Sequence, residues 1–306
     1  MKTLEFKLEF SEALEARAAP VIVTGAGGWL GQAALEMLGD STRIIAFGAS
    51  ARDTTLRSGH KINVRPLEEI ATLTLPGAII FHFAFLTREH ASAMPLSDYI
   101  SGNQKISCLI QDFIARCGTS GVFLPSSGAV YAGSEMSKNP YGVLKREDEE
   151  IFLRLATQQG FPAAIMRVFN LSGPFINKLN SYALACILSD ILNARPVTLR
   201  ASHPVWRGYA HVQDVLNIGL GSLLTQAPAA IFDSAGEAIE VGDLALRAGR
   251  LLTGKTIEII RPAWQDAPED RYLGDPAQFT RRAESLGVPL HNLDQQILDT
   301  ADYLRI

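Results

Sequence analysis

The segment Val21–Gly31 reads VIVTGAGGWLG, a β-branched strand running into a glycine turn that opens an apolar helix. Few folds tolerate that order. Gly25 permits a tight turn after Thr24, Gly28 lets the backbone approach a pyrophosphate, and Gly31 allows close packing of helix on strand. The N–H groups where the helix begins, at Trp29 and Leu30, then face phosphates. The spacing is TGxxGxxG; a GxGxxG pattern would place its third glycine at Leu30. The bland alternative is a glycine-rich βα turn that holds no ligand.

The rest of the chain extends this beginning into an α/β fold. Strand-like runs at Val21–Thr24, Arg43–Phe47, Lys61–Val64, Ala78–Phe83, Gly121–Pro125 and Ala163–Phe169 alternate with helical patterns near Gly28–Leu38, Tyr99–Cys117 and Tyr141–Gln159. Such alternation predicts a doubly wound parallel sheet covered on both faces, a Rossmann fold. After Gly173-Pro174 the pattern loosens. A helix is expected near Tyr182–Asn193, short strands near Pro196–Leu199 and Gly208–His211, a helix near Val241–Leu252, a strand at Thr256–Arg261 and a closing segment Pro276–Leu304. The expected division is a dinucleotide domain over 1–172, whose core also receives about 211–236, and a smaller α+β substrate cap over 173–306. Residues 1–19 are expected to form a strand or hairpin plus a short helix.

Composition excludes several classes. The 306 residues carry a net charge of −4 with scattered arginines, so no basic field draws nucleic acid. No uncharged apolar run reaches the roughly 18 residues of a spanning helix, and the mixed-charge N-terminus lacks the core of a signal peptide. A cytoplasmic protein without membrane partners is expected. Cys108, Cys117 and Cys186 show no paired spacing and no neighbouring histidine cluster. They read as buried small hydrophobes, and no metal site is expected.

The second strand bears on cofactor choice. An acidic residue about 20 positions after the glycine turn usually holds the ribose of NAD. Here RIIAF runs into Gly48-Ala49-Ser50-Ala51-Arg52. A hydroxyl and a guanidinium suit a 2′-phosphate instead, so Ser50 and Arg52 favour NADP over NAD. The alternative for Arg52 is a solvated loop arginine.

Tyr141 and Lys145 stand four apart in YGVLK, on one face of a helix. A phenol near its usual pKa of about 10 is a poor base at neutral pH. A neighbouring ammonium favours the phenolate and makes Tyr141 a workable general acid/base. Ser126 and Ser127 follow the strand Gly121–Pro125, at the carboxyl edge where such sheets bind ligands. Ser127 is the candidate that holds the substrate oxygen, with Ser126 in support. A lone YxxxK is common on solvated helices; the serines and glycine turn upstream give it weight.

These residues resemble the extended short-chain dehydrogenase/reductase family, in its nucleotide-sugar epimerase/dehydratase branch. Phe81-His82-Phe83-Ala84 is similar to the family's HxA strand end, which implies that Phe83 and Ala84 lie beside the cofactor. Asn103 matches a structural asparagine. Asn63, with Val64, stands where members often carry an Asp near the adenine. Arg167-Val168-Phe169-Asn170 with Gly173-Pro174 resembles the RxFNxxGP segment, implying Val168 at the cofactor and Asn170 at the substrate. Arg207, before Ala210-His211-Val212 and Asp214, resembles the arginine that grips a nucleotide pyrophosphate, and Arg271 a second phosphate arginine. The resemblance also implies that Lys145 bonds the nicotinamide ribose and that helices Tyr99–Cys117 and Tyr141–Gln159 build a homodimer. One departure is plain: the 4,6-dehydratases carry an acidic pair where this chain has Gly128 and Ala129.

The expected activity is NAD(P)-dependent epimerase or ketoreductase chemistry at a sugar carbon of a nucleotide sugar. One alternative is a reductase or dehydrogenase of a small non-nucleotide carbonyl or alcohol, indifferent to loss of Arg207. Another is a protein that binds NAD(P) without turnover.

Overall fold

The computed structural model describes residues 4–39 and 43–305. The first part of the chain runs through α1 (Leu8–Arg17), β1 (Val21–Thr24), α2 (Trp29–Leu38), β2 (Ile44–Gly48), β3 (Arg52–Thr55), β4 (Lys61–Pro66), β5 (Ile79–His82), α3 (Arg88–Ala93), α4 (Leu96–Cys117) and β6 (Gly121–Ser127). Next come α5 (Pro140–Gln159), β7 (Ala163–Val168), β8 (Asn170–Ser172), α6 (Ala183–Leu192), β9 (Val197–Thr198), β10 (Val205–His211), α7 (Val212–Leu224) and β11 (Ala230–Asp233). The chain closes with β12 (Ala238–Glu240), α8 (Val241–Thr253), β13 (Ile259–Ile260), β14 (Asp270–Tyr272), α9 (Pro276–Ser285) and α10 (Leu293–Leu304).

Two compact units divide the chain. One holds Glu5–Arg167 with Leu216–Phe232; the other holds Val168–Val215 and the chain from Asp233 onward. The first contains an eight-stranded sheet in the order β11-β7-β6-β5-β1-β2-β4-β3. β1 pairs in parallel with both β2 and β5, and β2–β4 and β5–β6 are parallel too. The strand order therefore reverses between β1 and β5, which makes the carboxyl end of β1 a topological switch point. All four residues of β1 are buried, as a central strand covered on both faces requires. Ile22, Phe47, Ile80, Phe113, Val122, Phe152 and Ile165 form the core on one side of the sheet.

Local chemistry fixes the helix that matters most. Asn139 caps α5, its Oδ1 accepting the Gly142 N–H at 3.1 Å, Pro140 follows in the first turn, and Gly160 ends the helix in the left-handed conformation. The β1–α2 turn is a backbone-on-backbone contact. Gly25 has φ +67°, and a Cβ there would strike the backbone of Phe83 and Ala84; one at Gly31 would run into the Gly25 carbonyl.

In the second unit β10 is central, antiparallel to β12 and parallel to β14 and β8. β9 and β13 form a separate parallel pair. Leu184, Leu188, Leu244, Ala245, Ile297 and Ala301 pack α6, α8 and α10 together.

Three expectations need correction. No strand occurs over residues 4–7, whose backbone is taken up by side chains: Lys7 N–H donates to Asn217 Oδ1 at 2.7 Å, and Asn217 donates to the Glu5 carbonyl at 3.2 Å. Residues 1–3 of that expected strand or hairpin lie outside the described residues. Arg52–Thr55 forms an antiparallel edge strand on β4 rather than a loop; mostly exposed, it has no alternating buried face to betray it. The cysteines are not buried: Cys108 is exposed and the other two are half-buried free thiols. No helix among the described residues is long and apolar enough to cross a membrane.

The Gly31 contact yields a test. Gly31→Ala should lower the free energy of unfolding by about 1–3 kcal/mol, read as an earlier urea midpoint with an unchanged far-ultraviolet spectrum.

Candidate active site

The glycine turn leaves the backbone accessible at one point. Gly28 is exposed, is the N-cap of α2, and no side chain caps the helix. The turn is held from below: Ala26 N–H donates to the Phe47 carbonyl and Gly28 N–H to the Gly25 carbonyl. Arg52 reaches across from β3 and lays its guanidinium over Gly27, in the space a Cβ would fill. A cation thus stands at the turn. Ser50 is exposed between β2 and β3.

Several expected cofactor contacts are spent within the fold. The Thr24 hydroxyl accepts the Ala84 N–H at 3.1 Å and is 2.8 Å from His82 Nδ1. Thr24 thus ties β1 to β5, and its side chain is buried. Trp29 is buried, and Leu30 half-buried. Val64 is fully buried beneath Gly48. Asn63 donates to Asp53 Oδ1 at 3.2 Å. Because Arg52 pairs with Val64 and Asp53 with Asn63, Asn63 lies on the opposite face from Arg52. Phe83 and Ala84 are half-buried beyond the end of β5; the Phe83 ring rests edge-on against Phe123 at 5.6 Å.

The catalytic candidates assemble around the start of α5. A Cβ at Gly142 would meet the Ala129 carbonyl, so α5 begins hard against the turn that follows Ser127. Asn139 Nδ2 donates to that same carbonyl at 2.9 Å. Ser127 is buried and caps its turn, accepting the Ala129 N–H at 3.2 Å. Lys145 is buried and donates to the Pro125 carbonyl at 2.9 Å, anchoring the helix to the strand end that carries the serines. Tyr141 is half-buried one turn earlier. Phe85, which the sequence reading missed, lies against both: its ring centroid is 3.8 Å from Lys145 Nζ and 5.7 Å from the Tyr141 ring, edge-on. Its signal was position, directly after His82-Phe83-Ala84 at the carboxyl edge of the sheet. Asn103 sets the segment, accepting the Leu86 N–H at 2.8 Å while donating to the Leu86 and Tyr99 carbonyls.

Ser126 has a different task from the one expected. Consecutive strand residues face opposite ways, and its hydroxyl donates to Glu149 Oε1 at 2.5 Å. Glu149 is buried and receives two further bonds from Arg167, at 2.8 and 2.7 Å; Arg167 also donates to the Tyr131 hydroxyl at 2.6 Å. That bidentate pair pushes the Arg167 pKa up. Burial drives the Lys145 pKa down to about 8, against the opposing pull of Asp148 and Glu149. Burial, with the nearby Lys145 charge, pushes His82 down to about 3, so His82 is neutral.

The residues expected at the substrate are engaged elsewhere in the second unit. Asn170 donates to the carbonyls of Gly208 and Tyr272, at 3.1 and 3.4 Å. Arg207 forms a 2.6 Å ion pair with Asp270. Arg271 is exposed, pairs with Glu269 at 2.9 Å and lies over the Trp206 ring. Register places Arg207 beside Tyr272 and Arg271 beside Trp206, so the two arginines face opposite sides of their sheet and form no joint clamp. Val168 is half-buried at the end of β7.

The sequence profile of the NAD dependent epimerase/dehydratase family matches residues 21–230. The chain belongs to that family. It is an enzyme of the extended short-chain dehydrogenase/reductase type, and family and structure agree on the Rossmann sheet. Among solved structures it is similar to the UDP-N-acetylglucosamine 4-epimerase of Methanobrevibacter ruminantium M1, at 18% identity over 94% of this chain and 98% of that one, with a TM-score of 0.77. The UDP-glucose-4-epimerase of Stenotrophomonas maltophila, with bound NAD and formylated UDP-arabinopyranose, gives 20%, 94%, 98% and 0.74. The UDP-glucose 4-epimerase of Thermotoga maritima gives 19%, 94%, 98% and 0.72. At these identities the likeness is one of fold. No curated protein sequence matches the chain.

The Lys145 environment sets a pH dependence. Its folded pKa, about 8, lies below the ordinary 10.5, so the unfolded chain holds the extra proton between those values. Stability should therefore rise from pH 8 to 10.5, relative to Lys145→Met, by about 2–3 kcal/mol. Paired denaturant titrations of the two proteins at several pH values measure it.

Proposed function

We propose that this enzyme catalyses NAD(P)-dependent oxidoreduction at a sugar carbon of a nucleotide sugar, as an epimerase or a ketoreductase. The observation that carries the proposal is the cluster of Tyr141, buried Lys145 and Ser127 at the carboxyl edge of β6, beside the β1 switch point. The glycine turn fits a dinucleotide: an exposed Gly28 opens α2, and Arg52 covers Gly27. Thr24, Trp29 and Val64 have buried side chains, so any part they take in holding it is through the backbone. When bound, the nicotinamide supplies the hydride donor and acceptor.

The chain's own residues handle the proton and the oxygen. Tyr141 gives its phenolic proton to the sugar oxygen, or takes one from it, as the adjacent carbon gains or loses hydride. The Lys145 ammonium stabilises the phenolate. It is held at a fixed distance by the Pro125 carbonyl, and the low-dielectric surroundings strengthen its field. Ser127 donates to the substrate oxygen. Phe85, over Lys145 and beside Tyr141, keeps water from the ammonium. Gly128 and Ala129 supply no second acid or base, which favours chemistry at one carbon over dehydration.

Arg52 favours NADP(H) and, with it, the ketoreductase, since a consumed cofactor has to exchange. The family favours NAD and the epimerase, which recycles it. Denaturing the purified protein and identifying released dinucleotide by mass separates them: retained NAD(H) supports the epimerase, an empty protein that prefers NADPH the ketoreductase. The same reading makes the protein a homodimer through α4 and α5, where Ile106, Leu109, Ile151 and Leu153 are only half-buried.

A second reading has its own observation. The Arg207–Asp270 pair neutralises the guanidinium assigned to a substrate diphosphate. A small non-nucleotide carbonyl or alcohol would need no such cation. Calorimetric binding of UDP, GDP, CDP or dTDP, weakened in Arg207→Ala, supports the nucleotide sugar; no binding of any of them supports the small substrate.

Two outcomes are expected. Tyr141→Phe should lower turnover about 10²- to 10⁴-fold with dinucleotide affinity unchanged; near-normal turnover on the true substrate would refute the mechanism, and absence of any hydride transfer in the parent enzyme would leave a non-catalytic binding protein. Arg52→Ala should weaken NADPH about tenfold or more, leaving NADH unaffected, in a fluorescence titration.

A further inference from the structure

His211, the last residue of β10, and His291, in the link between α9 and α10, stack face to face with ring centroids 4.1 Å apart and planes inclined by 20°. Asp214, in the first turn of α7, lies at one edge of the stack. Its Oδ1 is 2.6 Å from His291 Nδ1, and its Oδ2 accepts the His291 N–H at 2.9 Å. Asp299 on α10 lies at the other edge, its Oδ2 3.6 Å from His211 Nε2 and 3.9 Å from His291 Nε2. His211 and Asp214 are buried. The oxidoreductase reading uses none of these groups.

His211 Nδ1 accepts the Gln213 N–H at 3.2 Å, so both Nδ1 atoms lie toward the start of α7 and both Nε2 atoms toward Asp299. One ligand atom from each of His211, Asp214 and His291 lies within 4.8 Å of the others. A ligating imidazole whose far N–H is held by a carboxylate is the usual second layer of a metal site.

We propose that His211, Asp214 and His291 bind a divalent transition-metal ion of the zinc class, with Asp299 as the outer carboxylate. Two imidazole nitrogens and one carboxylate oxygen suit Zn²⁺, whereas Mg²⁺ and Ca²⁺ take mainly oxygen. Ligands at zinc distances lie about 3.4 Å apart, so the cluster has to close by an ångström or so. His291 is on a loop and can supply that movement by turning out of the stack; His211 Nδ1 then exchanges the Gln213 N–H for the ion, and a proton displaced from a ligating ring nitrogen passes to solvent. The fourth position opens toward a cavity of about 480 Å³ lined by Asp214, His291, Asn292, Gln296, Gly236 and Phe279. Ion binding there would fasten the α9–α10 link to the β10–α7 junction.

The test uses the full chain, stripped with a chelator and titrated with ZnCl₂ by calorimetry and with CoCl₂ by visible absorption. The expected result is one saturable equivalent of Zn²⁺, a rise in Tm with added zinc, and ligand-field bands for cobalt. His291→Ala should abolish all three, and Asp299→Asn should weaken zinc about 10- to 100-fold. If His211→Gln fails to fold, His291→Ala, on the loop, still decides. Absence of saturable binding in the parent protein would overturn the proposal, leaving a hydrogen-bonded stack alone. Binding that survives His291→Ala, or is lost in Cys108→Ser, would overturn it equally, as ion held elsewhere.

Discussion

The contact of the Gly25 backbone with that of Phe83 and Ala84 is the constraint on which the site depends. Two chain segments far apart in sequence approach so closely that no side chain fits between them. Everything at the switch point is placed relative to that contact. Thr24 and His82 reinforce it with a buried hydrogen bond, and because burial keeps His82 neutral the bond costs no buried charge. The glycine turn, the end of β5 and the start of α2 thus behave as one rigid corner.

A second buried arrangement carries the charge. Lys145, Asp148, Glu149 and Arg167 gather along α5 and the end of β7, with Ser126 bonded into the group. Arg167 grips Glu149 with two hydrogen bonds, and burial, with the Glu147 charge, pushes the Asp148 pKa up against the pull of Lys145 and a Ser107 hydrogen bond. The result is a lysine whose charge is disfavoured by its surroundings but supported by carboxylates further along the same helix. Such a group can exert a strong local field without being tied into a direct ion pair.

The sequence revealed this corner and this helix well, because their residue types are forced. Gly25, Gly31, Asn139-Pro140 and the buried run of β1 each answer a steric or capping demand that few residues meet. It concealed the short strands β3, β8, β12 and β14, whose three or four residues carry too little burial to show a period. It also concealed the partners of the arginines. Asp270 is far from Arg207 in the chain, and only the parallel pairing of β14 with β10 brings them together. The serine pair was legible as a pair, but its division of labour follows from strand alternation and from Glu149, which reads in sequence as an ordinary helix acid. His211 and His291, eighty positions apart, gave no hint of stacking.

The arch from Phe83 to Leu86 is pinned at both ends. Ala84 is bonded to Thr24, while Leu86 is held through its N–H and carbonyl by Asn103 and through its carbonyl by the Tyr99 hydroxyl. Phe85 at its crown therefore has a fixed backbone and a side chain that alone can turn. Clearing the ring from Lys145 is then a matter of side-chain rotation and requires no loop opening. Access to the buried ammonium is governed by a swinging door on a stationary frame, and its speed by the hinge of one aromatic ring.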